Sequence, residues 1–396
     1  MIDIRKQSQE LLEAYQSLDQ AQADEQELES ESGRSPTAEE AKYGASQWQL
    51  IWLRFRRNKA AMAGGIVVLL FYLTALFGNF LVPYTLDTRF ARYIYLPPQP
   101  IHFFDEGRFR PFVYGIKAEF TKDLRRVFTI DYEQKIPVRF FAKGEPYKLF
   151  GFIPAERHLF VADEGGIVSL LGTDRQGRDM LTRVVLGSQI SLTIGLVGVF
   201  LSLFFGTVMG VISGYYGGWI DTSIQRLIEL VRCFPSIPLW MALAAALPST
   251  WPPLRTYFAV TIILSLIGWT WLARQLRGIV LSLRQEDYIM AAKLAGASDA
   301  RIIFRHLIPA SFGQIIVVST LAMPSMILAE TSLSFLGLGL RPPLTSWGVL
   351  LQEAQNLESL ALYPWVFAPA LFIVVIVLAF NFLGDGLRDA ADPYTV

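Results

Sequence analysis

Residues Tyr288–Pro309 read YIMAAKLAGASDARIIFRHLIP, a polar, basic stretch set between two very hydrophobic ones. An Ala-Ala pair, a glycine four residues on and a closing proline predict a helix–Gly–helix. From Tyr288 to Ala295 the residues form a short helix with Ala291, Ala292 and Ala295 on one face, because positions three and four apart are neighbours. Small side chains there let another surface approach the backbone closely. Gly296 is placed to end that helix in the left-handed conformation, and Ser298 to cap the next one. Asp299, Arg301 and Arg305 then face solvent or a partner. A membrane protein has little structural need for a long, ordered basic loop unless something soluble grips it. The plainer alternative is an amphipathic helix resting on lipid headgroups, but the acids at Asp287 and Asp299 break the continuous basic face it needs.

The flanks of this loop set the fold class. Of 396 residues, 52% are hydrophobic and 18% charged, with a mean hydropathy of +0.36. Soluble proteins carry about a quarter charged residues, so the balance is that of a membrane protein. A span needs about 20 apolar residues, and six segments qualify: Ala60–Val82, Ile190–Tyr215, Leu227–Leu247, Tyr257–Ala273, Ser311–Leu333 and Pro364–Leu383. The third is the weakest, interrupted by Glu229, Arg232, Pro235 and Pro238. Pro235, Pro238 and Pro324 predict kinks, which suit either alternating access or simple packing. Glu229 and Arg232 are spaced to pair with each other.

Charge sets the orientation. Arg54, Arg56, Arg57 and Lys59 precede the first span, and Arg274, Arg277, Arg284, Lys293, Arg301 and Arg305 crowd the loop after the fourth. The loop between spans three and four offers only Arg255, and that between five and six only Arg341. Cationic loops stay inside, so both termini are expected in the cytoplasm. Segment 83–187 is then external. Its aromatic and β-branched runs, broken by Pro and Gly, predict a small β-rich domain. The first 45 residues are Glu/Gln/Ser-rich and fit a mobile tail. They lack the apolar core of a signal peptide, so the first span is expected to be retained. The lone Cys233 makes no intrachain disulfide, and His102, His158 and His306 stand in no metal-ligand spacing.

Several catalytic signatures are missing. A P-loop needs Gly-Lys followed by Ser or Thr, and the chain has no Gly-Lys dipeptide. Gly-x-Ser-x-Gly and His-Glu-x-x-His are missing too. Gly337 and Gly339 lack the βαβ setting of a nucleotide loop and read as a tight turn. Gly172, Asp174 and Gly177 read as an ordered turn entering span two, where Asp174, Arg175, Arg178 and Asp179 form a salt-bridge cluster or receive a soluble partner. Glu330 lies near the outer end of span five. An ionisable residue at membrane depth is a functional candidate, contacting the amino end of a cargo or pairing with Arg341 or a neighbouring subunit.

Five stretches carry a family likeness: Leu171–Leu196 (LGTDRQGRDMLTRVVLGSQISLTIGL), Gly214–Asp221 (GYYGGWID), the Tyr288–Pro309 loop, Ala329–Gly348 (AETSLSFLGLGLRPPLTSWG) and Phe380–Pro393 (FNFLGDGLRDAADP). Together they resemble the C-type permease of the dipeptide/oligopeptide family of ABC importers. Val138–Pro154 in the insertion is similar to the enlarged external domain of a branch linked to modified-peptide uptake.

The resemblance implies an all-α polytopic membrane protein of the ABC type I importer kind, with six transmembrane helices, a cytoplasmic coupling loop and an inserted β-rich external domain. Its parts are a cytoplasmic tail (1–50), a first transmembrane helix (60–82), the external domain (83–187), a permease core (188–383) with the coupling loop (274–309), and a C-terminal cytoplasmic tail (384–396). In the family the loop docks on the ATPase through Glu-Ala-Ala, a Gly and a hydrophobic-Pro. Ala291, Ala292, Gly296 and Pro309 match, while Met290 replaces the usual Glu and His306 an Ile. Tyr288, Asp299, Arg301 and Arg305 complete the expected coupling residues, and Glu330 is the translocation-path candidate.

The implied setting is the bacterial inner membrane. The implied partners are a homologous second permease, two ABC ATPase subunits or domains, an external substrate-binding protein, the bilayer and a peptide cargo, with no nucleic acid. The chain itself is expected to be non-catalytic and to bind no cofactor or metal; ATP and Mg belong to the ATPases. One alternative keeps the machine and changes the cargo to nickel chelates or sugars. An ion-driven secondary transporter is the other; it calls for several buried carboxylates and inverted repeats, whereas the spans are nearly free of carboxylates and no repeat is visible.

Overall fold

The computed structural model describes residues 47–120, 126–163, 166–248, 250–340, 344–356 and 361–391. The mobile tail expected at the N-terminus and the Arg341 partner expected for Glu330 lie outside them. The chain divides at Arg54/Phe55. The first unit contributes the start of helix α1 (Gln47–Arg57), and every later element belongs to the second.

Among the described residues, five helices are long and apolar enough to cross a membrane: α2 (Lys59–Leu76), α4 (Met180–Tyr216), α7 (Pro253–Leu283), α10 (Phe312–Phe335) and the segment Pro364–Ala391, a 3₁₀ turn leading into α12 (Ala368–Ala391). The expected third span is a broken pair, α5 (Gly218–Arg232) and α6 (Ser236–Ala245), bent by 81°, and makes a sixth if the pair is taken as one span. Pro235 supplies the reason: the residue before a proline is pushed out of the helical region, and α5 ends ahead of it at Arg232.

Helix ends depart from the apolar runs where polar side chains do the capping. Span two begins at Met180, ten residues before the first residue of the run, because Asp179 accepts hydrogen bonds from the Thr182 N–H and hydroxyl at 2.7 Å. The boundary expected at 187/188 therefore falls within one helix. Span four likewise runs on to Leu283, so the first ten residues of the expected loop 274–309 belong to α7.

The helices pack through small residues, since close backbone approach replaces a hydrophobic drive inside a bilayer. Gly206, Gly210 and Gly214, one turn apart on α4, face α7. A Cβ at Gly210 would lie 2.6 Å from the Ala273 carbonyl oxygen, and one at Gly214 2.9 Å from that of Arg277. Gly64 of α2 is set equally close to the Ala379 carbonyl of α12. The main core joins α2, α4, α10 and α12 through Val68, Leu192, Ile194, Met326, Ile327, Ile376 and Phe380. Trp347, fully buried at the start of α11 (Trp347–Glu353), is part of it.

Between α2 and α4 the described residues form a short helix α3 (Gly78–Leu81) and six strands: β1 (His102–Asp105), β2 (Arg108–Phe120), β3 (Arg126–Phe140), β4 (Lys143–Leu149), β5 (Ile153–Arg157) and β6 (Phe160–Ala162). They form an antiparallel sheet of order β1-β2-β3-β6 and a separate β4–β5 hairpin. Val113, Ile136, Val138, Phe160 and Val168 make the insertion's own core.

Candidate functional site: the helical loop and its base

The stretch from Asp287 to Ala310 folds as two helical pieces around Gly296. The first, α8 (Asp287–Leu294), ends with Gly296 at φ +77°. The Gly296 N–H donates to the Lys293 carbonyl at 2.9 Å and the Ala297 N–H to that of Ala292 at 3.0 Å, the paired bonds of a Schellman cap. The second, α9 (Asp299–Ile302), is capped by Ser298, whose hydroxyl accepts the Arg301 N–H at 3.4 Å. A single π-helical turn, Ile303–Leu307, comes next, with the Ile308 N–H reaching back to the Ile303 carbonyl. Pro309 has no N–H for an ordinary ladder and sits in the last turn, Ile308–Ala310, before α10.

Ile289, Ile302 and Leu307 are buried against Val211, Tyr215 and Val280, which seats the loop on the ends of α4 and α7. Polar contacts fix the seat. The Tyr215 hydroxyl donates to Asp299 at 2.7 Å, while Asp299 stays exposed. Lys293 lies 5.2 Å from the centre of the Tyr215 ring. Arg284 donates to the Gly214 and Tyr215 carbonyls at 3.1 and 3.3 Å. Beneath it, Arg277 grips Asp221 with two bonds of 2.5 and 2.6 Å, and the Ser213 hydroxyl donates to the same carboxylate. Sequence reasoning missed these base residues as site residues, yet their signal was present: GYYGGWID supplies Tyr215 and Asp221, and Arg277 and Arg284 counted only as loop charges.

The outward face mixes large apolar side chains with charged ones. Leu294 is 89% exposed, Phe304 73% and Met290 52%, with Tyr288, Ala291, Arg301, Arg305 and Pro309 also exposed and Ala292 half-buried. His306 is half-buried with its ring 6.3 Å from that of Tyr288. Partial burial and the neighbouring Glu286 hold the Tyr288 hydroxyl above its ordinary pKa.

Glu330 is fully buried. One carboxylate oxygen accepts from Ser334 at 2.8 Å and Ser346 at 2.7 Å, and the other from Ser191 at 3.3 Å. Ser191 also accepts the Trp347 N–H at 3.1 Å, and the Trp347 indole donates to the Val184 carbonyl at 3.0 Å. Glu330 thus ties α10 to α4 and to the start of α11. It does not line the cleft of about 440 Å³ among α4, α6, α7 and α10, which is walled by Ser202, Trp240, Leu264, Trp271, Ser325 and Met326.

Two expected charge groupings are rearranged. Asp174 and Arg178 do pair, but their partners are Arg183 and Glu353 from α4 and α11, each contact at 2.7 Å; Asp179 instead caps α4 and accepts from Ser169. Glu229 pairs with Arg226 at 2.7 Å rather than with Arg232.

Comparisons with known proteins agree with this architecture. The family described as binding-protein-dependent transport system inner membrane component matches residues 206–395. The N-terminal TM domain of oligopeptide transport permease C matches residues 46–98. Dipeptide transport system permease protein DppC of Alkalihalophilus pseudofirmus is 43% identical over 223 residues, 56% of this chain and 71% of that one. Oligopeptide transport system permease protein OppC of Bacillus subtilis is 32% identical over 354 residues, 89% of this chain and 92% of that one. Glutathione transport system permease protein GsiD of Escherichia coli is 33% identical over 346 residues, 87% and 90% of the two chains. Among solved structures, a chain of the MetNI methionine ABC transporter in an inward-facing conformation aligns at 17% identity with a TM-score of 0.43, over 53% of this chain and 97% of that one. The chain belongs to the binding-protein-dependent ABC importer permeases, in the C-type permease group of the dipeptide/oligopeptide family.

Proposed function

We propose that this chain carries di- or oligopeptides across the bacterial inner membrane, powered by ATP that separate subunits hydrolyse. The cargo class follows the names of its relatives: dipeptide, oligopeptide and glutathione transport. The observation that carries the coupling role is the 287–310 loop. Leu294, Phe304 and Met290 point outward from it, while Tyr215–Asp299 and Asp221–Arg277 bond its seat to the helices that pack through Gly206, Gly210 and Gly214. A soluble ATPase that buries Leu294 and Phe304 would, on moving, drag α4 and α7 with it.

In this reading the loop and both termini are cytoplasmic, as the basic residues of Arg54–Lys59 and of the loop favour. The β-rich insertion is external, on the side from which a substrate-binding protein delivers cargo. A homologous second permease completes the pathway, and ATP and Mg are bound by the two ATPases.

Gly296→Pro tests the loop. Proline fixes φ near about −65°, against +77° here, and removes the N–H that bonds Lys293. The expected result is loss of the ATPases from the complex purified in mild detergent, with the variant still in the membrane. Normal ATPase association would overturn the reading. Uptake of labelled peptides into liposomes holding the complete importer tests the cargo, with a nickel chelate as the comparison.

A further inference from the structure

The β4–β5 hairpin is fastened to the exit of α2, apart from the four-stranded sheet. Asn79 donates to the Lys148 carbonyl at 3.4 Å, and the Leu159 N–H to that of Phe80 at 2.7 Å. The Glu145 carboxylate accepts from the Thr85 N–H at 2.8 Å and from the Thr88 hydroxyl at 2.5 Å. These bonds hold the hairpin's turn beside the last residues of the span. The turn is Phe150-Gly151-Phe152, closed by the Leu149–Ile153 pair, with Phe150 and Gly151 at φ +53° and +82°. The Phe150 ring lies 5.7 Å from that of Phe77, the residue that caps α2, and the Phe141 ring 6.1 Å from that of Phe80.

The depth of this turn follows from the length of α2. Its 18 residues rise about 27 Å, against a hydrocarbon core of about 30 Å. Phe77 therefore stands where acyl chains meet headgroups, and Phe150 beside it stands at the same level. Phe152 is 74% exposed and Phe141 59%, and Phe150 is exposed as well. Leu69, Leu73 and Leu76 on α2 are exposed too. Lys148, exposed, sits directly behind the turn, and the exposed Arg157 lies further back on β5, opposite Lys143, which pairs with Glu156 at 3.5 Å. An apolar tip with cations behind it matches the order of acyl chain and phosphate in a leaflet.

We propose that the β4–β5 turn is a lipid anchor: Phe150, Phe152 and Phe141 enter the leaflet at the end of α2, and Lys148 and Arg157 meet lipid phosphates. This rests on α2 being a membrane span, part of the reading above. The anchor fixes the root of the insertion against the bilayer while its four-stranded sheet stands clear.

The test is a spin label at Phe152→Cys in a Cys233→Ser background, in the complete importer in nanodiscs of phosphatidylethanolamine and phosphatidylglycerol. Collision with oxygen is expected to exceed that with a water-soluble nickel chelate several-fold, as at Leu76→Cys, whereas Glu133→Cys on β3 shows the reverse. Preference for the nickel chelate at position 152 would overturn the proposal. So would protection from both reagents, which means a protein covers the tip. Failure of the span reading looks different, because Leu69→Cys in mid-helix would then also prefer the nickel chelate.

Discussion

At the scale of single residues, Glu330 shows how position along a chain misleads about role. A carboxylate within an apolar run predicts a contact with cargo or a cation, yet it sits among three serine hydroxyls and the start of α11. Glu330→Ala would leave those hydroxyls without their acceptor, at about 1–3 kcal/mol for each buried group left unpaired. Thermal unfolding of the purified chain in detergent should show Ala well below wild type and Gln between them, since the amide keeps one accepting oxygen. An Ala variant as stable as wild type would mean the serines are satisfied some other way. Arg183 is a second such hub, bonded to both Asp174 and Glu353. Arg183→Met leaves Asp174 and Glu353 to share Arg178 as their one cation among these four residues, and removing one partner of a buried pair costs about 3–5 kcal/mol. Adding Glu353→Gln, which leaves Asp174 paired with Arg178, should recover part of that loss in the same melts.

At the scale of elements, the α4–α7 contact depends on having no side chain where the helices touch. Gly210→Ala places a methyl against the Ala273 backbone oxygen, which cannot swing aside, so the helices must part. Gly278→Ala on α7 is the control, because nothing lies within 4 Å of its added Cβ and alanine favours a helix by about 1 kcal/mol. The expected outcome is a lower melting temperature and poorer folded yield for Gly210→Ala, and an unchanged or raised one for Gly278→Ala. The spans were legible because a bilayer demands long apolar runs. Their ends were not: Asp179 starts α4 well before its run, a capping effect that outranks hydropathy locally. The break between α5 and α6 was half legible, since Pro235 marks the place but the 81° angle depends on what the two pieces pack against.

At the scale of the whole molecule, the proposed coupling role makes the loop one end of a lever whose fulcrum is Asp221–Arg277. Asp221→Asn weakens the paired bonds to Arg277 and the one from Ser213, where bonds to charged groups contribute about 1.5–3 kcal/mol. The loop itself stays seated through Ile289, Ile302 and Leu307. ATPase binding should therefore survive in this variant, while the amount of peptide moved per ATP hydrolysed falls severalfold. The measurement is paired uptake and phosphate release in liposomes. Unchanged stoichiometry would show that force reaches the spans by another route.

The sequence by itself determined what depends on neighbours in the chain: the apolar runs, the Schellman turn at Gly296, the proline break and the family motifs. Each arises from residues within a turn or a span of one another, where backbone geometry and the solvent dictate the outcome. Tertiary structure alone decided what joins distant residues. It brought Ser191 and Ser346 to Glu330, Glu353 to Arg183, Tyr215 to Asp299, and the Phe150 turn to Phe77. The physical reason is the same in every case. A buried polar or aromatic group must find a partner, and packing, which no local pattern encodes, settles which one comes within reach.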